Sequence, residues 1–332
     1  MTDPSHASLS LPIFADVRDA AARIKDLAVR TPLLSHPDLD AAVGGRVWLK
    51  PETLQRTGSF KFRGAYNALS RLTDAQKARG VVAFSSGNHA QGVAEAAKIL
   101  GIQARIVMPA DAPPVKADGV RRRGGEVITF DRETEDREAI ARALCEESGA
   151  TLIPSYDHHH IIAGQGTTGL EVFEDLASKG RSADQLICCV GGGGLIGGIG
   201  LAGAELSPRT RLYGAEPEGF DDHRRSLESG RIESNVRRSG SVCDALLAEQ
   251  PGALTFQLNA SRLAGVGVIT DDEALYAVRF AFETLKLVVE PGGAAALAAA
   301  LSGRIDCRDR STVIVLTGGN ISPDIFKMAI GG

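Results

Sequence analysis

The sequence predicts an α/β protein whose largely parallel sheets are covered by helices on both faces. From Val81 onward, short β-branched runs alternate with amphipathic stretches, and strands that alternate with helices pair in parallel. Glycine-rich segments stand at junctions between the two patterns, where doubly wound sheets place their ligands. The chain's 332 residues exceed what one hydrophobic core usually serves, so two domains or one large α/β unit are expected.

Before the alternating series, Ala65, Ala68, Leu69 and Leu72 keep helical spacing, and Ser59 can cap that helix. Val81–Ser85 reads as a strand, followed by Ala90, Val93, Ala94, Ala97 and Leu100 at helical period. Ala104–Met108, Glu126–Phe130 and Thr151–Pro154 read as further strands with helical patterns between them. Leu186–Val190, Arg211–Ala215, Val266–Ile269 and Thr312–Thr317 continue the series. Ala294–Leu301 is alanine-dense and follows Pro291, which suits a closely packed helix start. Residues 220–265 are the least regular part. No repeat, low-complexity linker or clean domain boundary is visible.

Composition narrows the function. Hydrophobic residues at 43% and charged residues at 23% exclude a disordered or fibrous chain. The formal charge is 37 − 41 = −4, so neither nucleic acid nor an anionic membrane is an expected partner. Arg121-Arg122-Arg123 is short and reads as a solvated helix face. No apolar stretch is long enough to span a bilayer, and Met1–Leu11 lacks the pattern of a signal peptide. Five cysteines, an odd count with no CxxC spacing, point to reduced thiols in the cytoplasm rather than disulfides or a zinc site.

Three strand-to-helix junctions carry chemistry. In the first, Leu186–Val190 is followed by Gly191-Gly192-Gly193-Gly194-Leu195-Ile196-Gly197-Gly198. Successive glycines let backbone N–H groups converge on an anion without Cβ obstruction, and the helix N-terminus adds partial positive charge. This reads as a phosphate site; a tight, closely packed turn is the structural alternative. Gly192, Gly194 and Gly197 also fit GxGxxG, with Glu216 ending the next strand as a dinucleotide fold's ribose ligand would. A nicotinamide oxidoreductase would follow, but it leaves the other two junctions unexplained.

The second junction is Arg56-Thr57-Gly58-Ser59-Phe60-Lys61-Phe62-Arg63-Gly64-Ala65. Lys61 falls in the first helical turn, where the positive helix end disfavours its ammonium form. A lysine of lowered pKa is what a Schiff-base nucleophile needs, although first-turn lysines are usually just solvated. The third is Ser85-Ser86-Gly87-Asn88-His89-Ala90. Its small residues, amide and imidazole suit capture of a carboxylate by backbone N–H groups; a capping serine beside a satisfied His89 is the alternative.

Together and in this order, SFKFRGA (Ser59–Ala65), SSGNHAQG (Ser85–Gly92), IAGQGT (Ile162–Thr167), GGGGLIGG (Gly191–Gly198) and LTGGN (Leu316–Asn320) identify a resemblance. The chain resembles the β-family of pyridoxal-phosphate enzymes, fold type II, over essentially its whole length. Within it, the chain is similar to the threonine/serine dehydratases and serine racemase, and close to 3-hydroxyaspartate dehydratases. The resemblance implies a tryptophan-synthase-β-like α/β fold of two domains, each with a largely parallel sheet flanked by helices. Residues 1–55 and 153–332 would form the large cofactor-binding domain. Residues 56–152 would form a small mobile one, with Lys61 near the junction.

By the same resemblance, Lys61 bonds pyridoxal 5'-phosphate, with Phe60 beside it. Asn88 contacts the pyridine hydroxyl, and Gly191, Gly192, Gly193, Gly194 and Leu195 cradle the phosphate. Thr317 faces the pyridine nitrogen. A neutral hydroxyl there leaves that nitrogen largely unprotonated and the ring a weaker electron sink, which favours rapid loss of a β-substituent. Ser86 stands where threonine dehydratases commonly carry alanine, but serine racemase and 3-hydroxyaspartate dehydratases carry serine. Its hydroxyl would face the cofactor opposite Lys61 and could exchange the α-proton there. Glu216-Pro217-Glu218-Gly219-Phe220-Asp221-Asp222 matches a racemase-like metal segment. Glu216, Asp222 and the Phe220 carbonyl would bind Mg2+, or Ca2+ or Mn2+; a solvated acidic turn is the alternative.

Ser155-Tyr156-Asp157-His158-His159-His160 departs from the less basic family sequence before IAGQGT. It is either a solvated loop or a place where one imidazole, His158, binds a second substrate carboxylate. The chain ends shortly after Asn320, so a C-terminal regulatory module and feedback by isoleucine are not expected.

The implied activity is an ammonia-lyase acting on a small β-hydroxy amino acid. The substrate amine displaces Lys61, the freed lysine removes the α-proton, and the β-hydroxyl leaves. The resulting aminoacrylate then hydrolyses to a 2-oxo acid and ammonia. Ser85, Ser86 and the N–H groups around His89 would hold the α-carboxylate and align the Cα–H bond. Ser86, the metal segment and His158–His160 rank 3-hydroxyaspartate first, then serine and threonine. The alternative is a racemase using Lys61 and Ser86, and a distant one is the NAD-binding oxidoreductase. A β-replacement synthase fits less well, because those relatives tend to carry threonine where His89 stands. A homodimer is expected.

Overall fold

A computed structural model describes residues 10–331 apart from 86, 113 and 132, with the backbone alone of residue 115. The chain enters through α1 (Phe14–Ile24), α2 (Pro37–Val43) and β1 (Arg46–Pro51), then α3 (Lys61–Ser70) and α4 (Asp74–Arg79). An alternating series follows: β2 (Val81–Phe84), α5 (Asn88–Leu100), β3 (Ala104–Pro109), α6 (Pro114–Arg121), β4 (Glu126–Phe130), α7 (Arg137–Ser148) and β5 (Thr151–Leu152). The long α8 (His159–Ser178) leads to β6 (Gln185–Cys189), α9 (Gly194–Leu206), β7 (Arg211–Pro217), α10 (Asp222–Ser229) and α11 (Ala253–Ala260). The last elements are β8 (Leu263–Ile269), α12 (Asp271–Glu283), α13 (Pro291–Leu301), β9 (Ser311–Leu316) and α14 (Pro323–Ile330).

The strands form two parallel sheets in two helix-flanked domains, in the orders β1-β9-β6-β7-β8 and β4-β3-β2-β5. Strands buried on both faces need apolar side chains throughout, and β6 and β9 supply near-continuous ones. The alternating series matches the sequence expectation, with Glu126–Phe130 reproduced and other boundaries displaced by at most three residues. β1, which precedes that series, was not anticipated. It pairs Val47 with Thr312 and Lys50 with Val315, a partnership between distant segments that local pattern cannot reveal.

Strand order explains where a ligand can sit. In the larger sheet the chain moves outward from β6 through β7 to β8, while β9 lies on the other side of β6. In the smaller sheet it moves from β2 through β3 to β4, while β5 returns on the other side of β2. Connections therefore diverge at β6/β9 and at β2/β5, leaving a crevice at the carboxyl ends of those strands. The glycine run follows β6, Thr317 follows β9, Ser85–Asn88 follows β2, and Ser155 follows β5. α8 crosses α9 almost backbone to backbone: a Cβ on Gly198 would stand 2.4 Å from the Ile162 carbonyl oxygen and 2.6 Å from the Gly166 nitrogen. This contact seats the start of α9 against the first turns of α8.

Candidate active site

The helix bearing Lys61 is set by long-range pairing rather than by a Ser59 cap. Phe60 occupies the N-cap position, and Ser59 Oγ is buried with no hydrogen-bond partner. Ser59 instead pairs with Gly318 in an isolated antiparallel bridge, and the Phe60 N–H donates to the Thr317 carbonyl at 3.2 Å. Two residues after Lys61, the guanidinium of Arg63 donates to both carboxylate oxygens of Glu52 (2.7 and 2.8 Å) and of Glu171 (2.6 and 2.9 Å). Lys50 Nζ donates to the same Glu171 at 2.6 Å. Arg63, Lys50 and Glu52 are all 0% exposed. The planar fork of arginine suits this double bidentate clamp, which ties α3 to β1 and α8.

Lys61 Nζ donates to the Ser155 carbonyl at 3.0 Å and lies 5.0 Å from the centre of the Phe60 ring. Burial of the amine lowers its pKa to about 8, while Cys189 and Glu290 oppose that shift. The expected lowering is present, with desolvation rather than the helix end as its main cause. Gln165 Nε2 also donates to the Ser155 carbonyl, at 3.3 Å.

Asn88 opens α5 and donates through Nδ2 to Glu290, while its Oδ1 accepts from Asn320 Nδ2 at 2.7 Å. Burial, reinforced by Asp244, raises Glu290 to about 7. Thr317 is buried, and its hydroxyl lies 3.1 Å from Cys189 Sγ. Ser85 Oγ accepts from the Gly87 N–H at 3.2 Å. His89 Nε2 sits 3.0 Å from the Ile153 carbonyl, and burial followed by the charge of Lys61 lowers its pKa to about 3. His89 is therefore a neutral ring bonded to backbone, while the Ser85 N–H donates to the Val107 carbonyl at 3.1 Å. Ser86 lies outside the described residues.

The glycine run threads between side chains. Cβ atoms would come within 2.2 Å of the Tyr156 ring at Gly192, 2.5 Å of His223 Nε2 at Gly193 and 2.6 Å of Gln165 Oε1 at Gly194. Gly193 has φ +89°, a conformation L side chains rarely adopt. At Gly191 the nearest atoms are at 3.5 Å. Among the described residues, the N–H groups of Gly192, Gly193, Gly194 and Leu195 donate to no protein acceptor, as expected at the start of a helix that holds an anion. Gln165 Oε1 is buried and also lacks a partner. Unsatisfied N–H groups at one end and a desolvated amine at the other fit a phosphorylated pyridine aldehyde.

Beyond the glycine run lies the acidic segment. Glu216 is buried and accepts from the N–H groups of His223 and Arg224, both at 3.0 Å. Those bonds tie it to the start of α10. Burial, then the neighbouring Asp222, pushes its pKa well up. Asp222 is buried and accepts from Asn235 Nδ2 at 2.6 Å. Phe220 is buried in the connecting loop, its N–H donating to the Pro217 carbonyl at 3.0 Å. One ligand atom each from Glu216, Asp222 and His223 lie within 4.8 Å of one another; sequence reading had not included His223. His158 caps α8, accepting from the His160 N–H at 3.3 Å, and burial lowers its pKa to about 4. It offers a neutral imidazole rather than a cation.

Sequence reading also left out Glu290 and Asn259, and gave no role to Tyr156 and Cys189 within the segments it quoted. Asn320 and Gln165 lie within quoted motifs, LTGGN and IAGQGT, but had no assigned role. Glu290 carried one local signal, its place before Pro291 at the start of α13.

Among the described residues, no helix is long and apolar enough to cross a membrane. The chain is 44% identical to an L-threo-3-hydroxyaspartate ammonia-lyase of Pseudomonas sp, over 97% of this chain and 98% of that protein. Its structure resembles a T.th. threonine deaminase, with TM-score 0.88 and 42% identity over 94% of this chain and 99% of that one. It also resembles maize serine racemase, with TM-score 0.90 and 36% identity over 97% of each chain. Residues 24–318 match the model of the pyridoxal-phosphate dependent enzymes. With a desolvated lysine, a glycine run whose N–H groups lack protein acceptors, and nearly the whole chain matched, the protein belongs to the family of pyridoxal-phosphate dependent enzymes.

Proposed function

We propose that this protein is an ammonia-lyase that removes water from a small β-hydroxy amino acid, with 3-hydroxyaspartate ranked ahead of serine and threonine. One observation carries the reading: the buried amine of Lys61, desolvated to a pKa of about 8 and held 3.0 Å from the Ser155 carbonyl that Gln165 also contacts. Lys61, Phe60, Asn88, Gly191 to Gly194, Leu195 and Thr317 would hold the cofactor. When bound, pyridoxal phosphate supplies an aldehyde that bonds amines and a ring that stabilises negative charge at Cα.

The chain's own groups divide the remaining work. Lys61 has a pKa low enough that much of it is neutral near pH 8, so its Nζ can take the proton from the substrate Cα. Ser85 and the N–H groups of Asn88 and His89 at the start of α5 would hold the α-carboxylate and fix the direction of the Cα–H bond. Ser86, outside the described residues, would supply the second hydroxyl for proton exchange. His158 contributes a hydrogen bond toward a second carboxylate. The buried carboxylates of Glu216 and Asp222, with the Phe220 carbonyl, suit a hard divalent cation, Mg2+ first.

The L-threo-3-hydroxyaspartate ammonia-lyase relative supports the substrate ranking, and the likeness to a serine racemase supports a second reading, racemisation through Lys61 and Ser86. A homodimer fits the exposed Tyr276, Phe282 and Met328 on α12 and α14, a cytoplasmic location fits five free thiols, and mobility of residues 56–152 against 1–55 and 153–332 fits the two-sheet division. Ammonia release from 3-hydroxyaspartate stereoisomers, serine and threonine tests the reading. A strong preference for threonine overturns the ranking, and retained turnover in Lys61→Ala overturns the mechanism. Racemisation abolished in Ser86→Ala, with elimination of the L-isomer spared, would establish the second reading.

A further inference from the structure

The geometry points to His223 as a direct ligand in the acidic site, giving a nitrogen-containing centre that takes Mn2+ in preference to Mg2+ and Ca2+. This inference rests on the cation site proposed at Glu216 and Asp222 and changes its chemistry. His223 Nδ1 lies 3.7 Å from Glu216 Oε1 and 3.6 Å from Asp222 Oδ2. Both separations exceed hydrogen-bond reach, yet both suit two ligands each about 2.1 Å from one shared ion. All three side chains are 0% exposed, and Nδ1 and Asp222 Oδ2 have no hydrogen-bond partner. Among the described residues no lysine or arginine side chain pairs with Glu216 or Asp222, and the one basic side chain beside both is His223 itself. A divalent cation between the three atoms would answer both the orphaned atoms and the charge.

The second nitrogen of the ring supports the assignment. Metal-bound histidines usually donate through the other nitrogen to a fixed acceptor. His223 Nε2 lies 3.3 Å from the amide of Asn259, whose Oδ1 is buried without a partner. Turning that amide gives Nε2–H its acceptor at the cost of the bond that Asn259 Nδ2 donates to the Gly193 carbonyl at 3.2 Å. The ion would thus be one imidazole and one amide away from the glycine run. Imidazole donors favour later transition ions over Mg2+ and Ca2+, which prefer oxygen alone.

The test loads metal-free, cofactor-containing enzyme with one equivalent of Mn2+ and records electron spin-echo envelope modulation. Coupling to an imidazole 14N is expected, altered on 15N-histidine labelling and absent from His223→Gln. In that variant the preference for Mn2+ over Mg2+ should fall by about tenfold or more. Mn2+ bound without nitrogen coupling, or coupling that survives in His223→Gln, overturns ligation by His223 and leaves the carboxylate site standing. Failure to bind Mn2+ overturns both, while ammonia release reports separately on the lyase reading. The isotope comparison needs only the wild-type protein, so it decides the outcome even if His223→Gln does not fold.

Discussion

Replacing Arg63 with methionine should cost this protein about 3–5 kcal/mol, the range for leaving one partner of a buried ion pair uncompensated. The loss is worked out group by group. Glu171 keeps Lys50 at 2.6 Å and some exposure, so it remains paired. Glu52 is 0% exposed and loses both guanidinium contacts, keeping the Thr31 hydroxyl at 2.7 Å. In the intact protein burial pushes the Glu52 pKa up, but Arg63 outweighs it and holds the carboxyl below its usual range. Without Arg63 that balance reverses, and Glu52 takes up a proton on folding. A carboxyl raised in the folded state loses stability as pH climbs above about 4.3. The deficit of Arg63→Met should therefore be larger at pH 8 than at pH 5. Adding Glu52→Gln removes the stranded charge and should recover about 1–3 kcal/mol, a non-additive coupling. Urea unfolding followed by Trp48, the chain's one tryptophan and a neighbour of Lys50 on β1, measures Arg63→Met, Glu52→Gln and the double variant. A loss under about 1 kcal/mol for Arg63→Met, or simple additivity in the pair, would refute the reasoning.

Further outcomes follow from the same groups. With Lys61 at about 8, uptake of pyridoxal phosphate by the apoprotein should accelerate up to about tenfold per pH unit below that value and level off above it; a flat profile from pH 6 to pH 8 contradicts this. Glu290, raised to about 7 by burial, binds its proton more tightly folded than unfolded, so its contribution fades as pH rises from about 4.5 to 7. Apo Glu290→Gln should accordingly gain about 3 kcal/mol relative to wild type between pH 5 and pH 8, and a pH-independent difference in urea midpoints would sink the assignment. Gly193→Ala should weaken cofactor binding by about tenfold or more through backbone strain and collision with His223; unchanged affinity in a cofactor titration would show that the run tolerates a side chain there.

The alternation of strand and helix was readable because each element of that series is written in local pattern. β1 was not, since Arg46–Pro51 owes its strand conformation to β9, far along the chain. Ser59 shows a local rule overruled: serine favours an N-cap, but the bridge to Gly318 draws it away and leaves Phe60 at the cap. Lys61 was legible as a depressed lysine, although desolvation rather than the helix end dominates. Glu290 and Gln165 escaped notice because their importance lies in what they meet, Asn88 and the Ser155 carbonyl, and tertiary contact has no signature in spacing. His223 is adjacent to a residue that was singled out, yet only folding turns its ring toward Glu216 and Asp222.

The crowding along the four-glycine run also tells a protein engineer where this cleft can be re-tooled. Three of its members are walled in by an aromatic ring, an imidazole and a carboxamide, so diversity introduced at 192, 193 or 194 would be spent on clashing side chains. Position 191, whose nearest neighbours stand at ordinary van der Waals distance, is the single opening in the run through which a methyl group could enter without displacing anything.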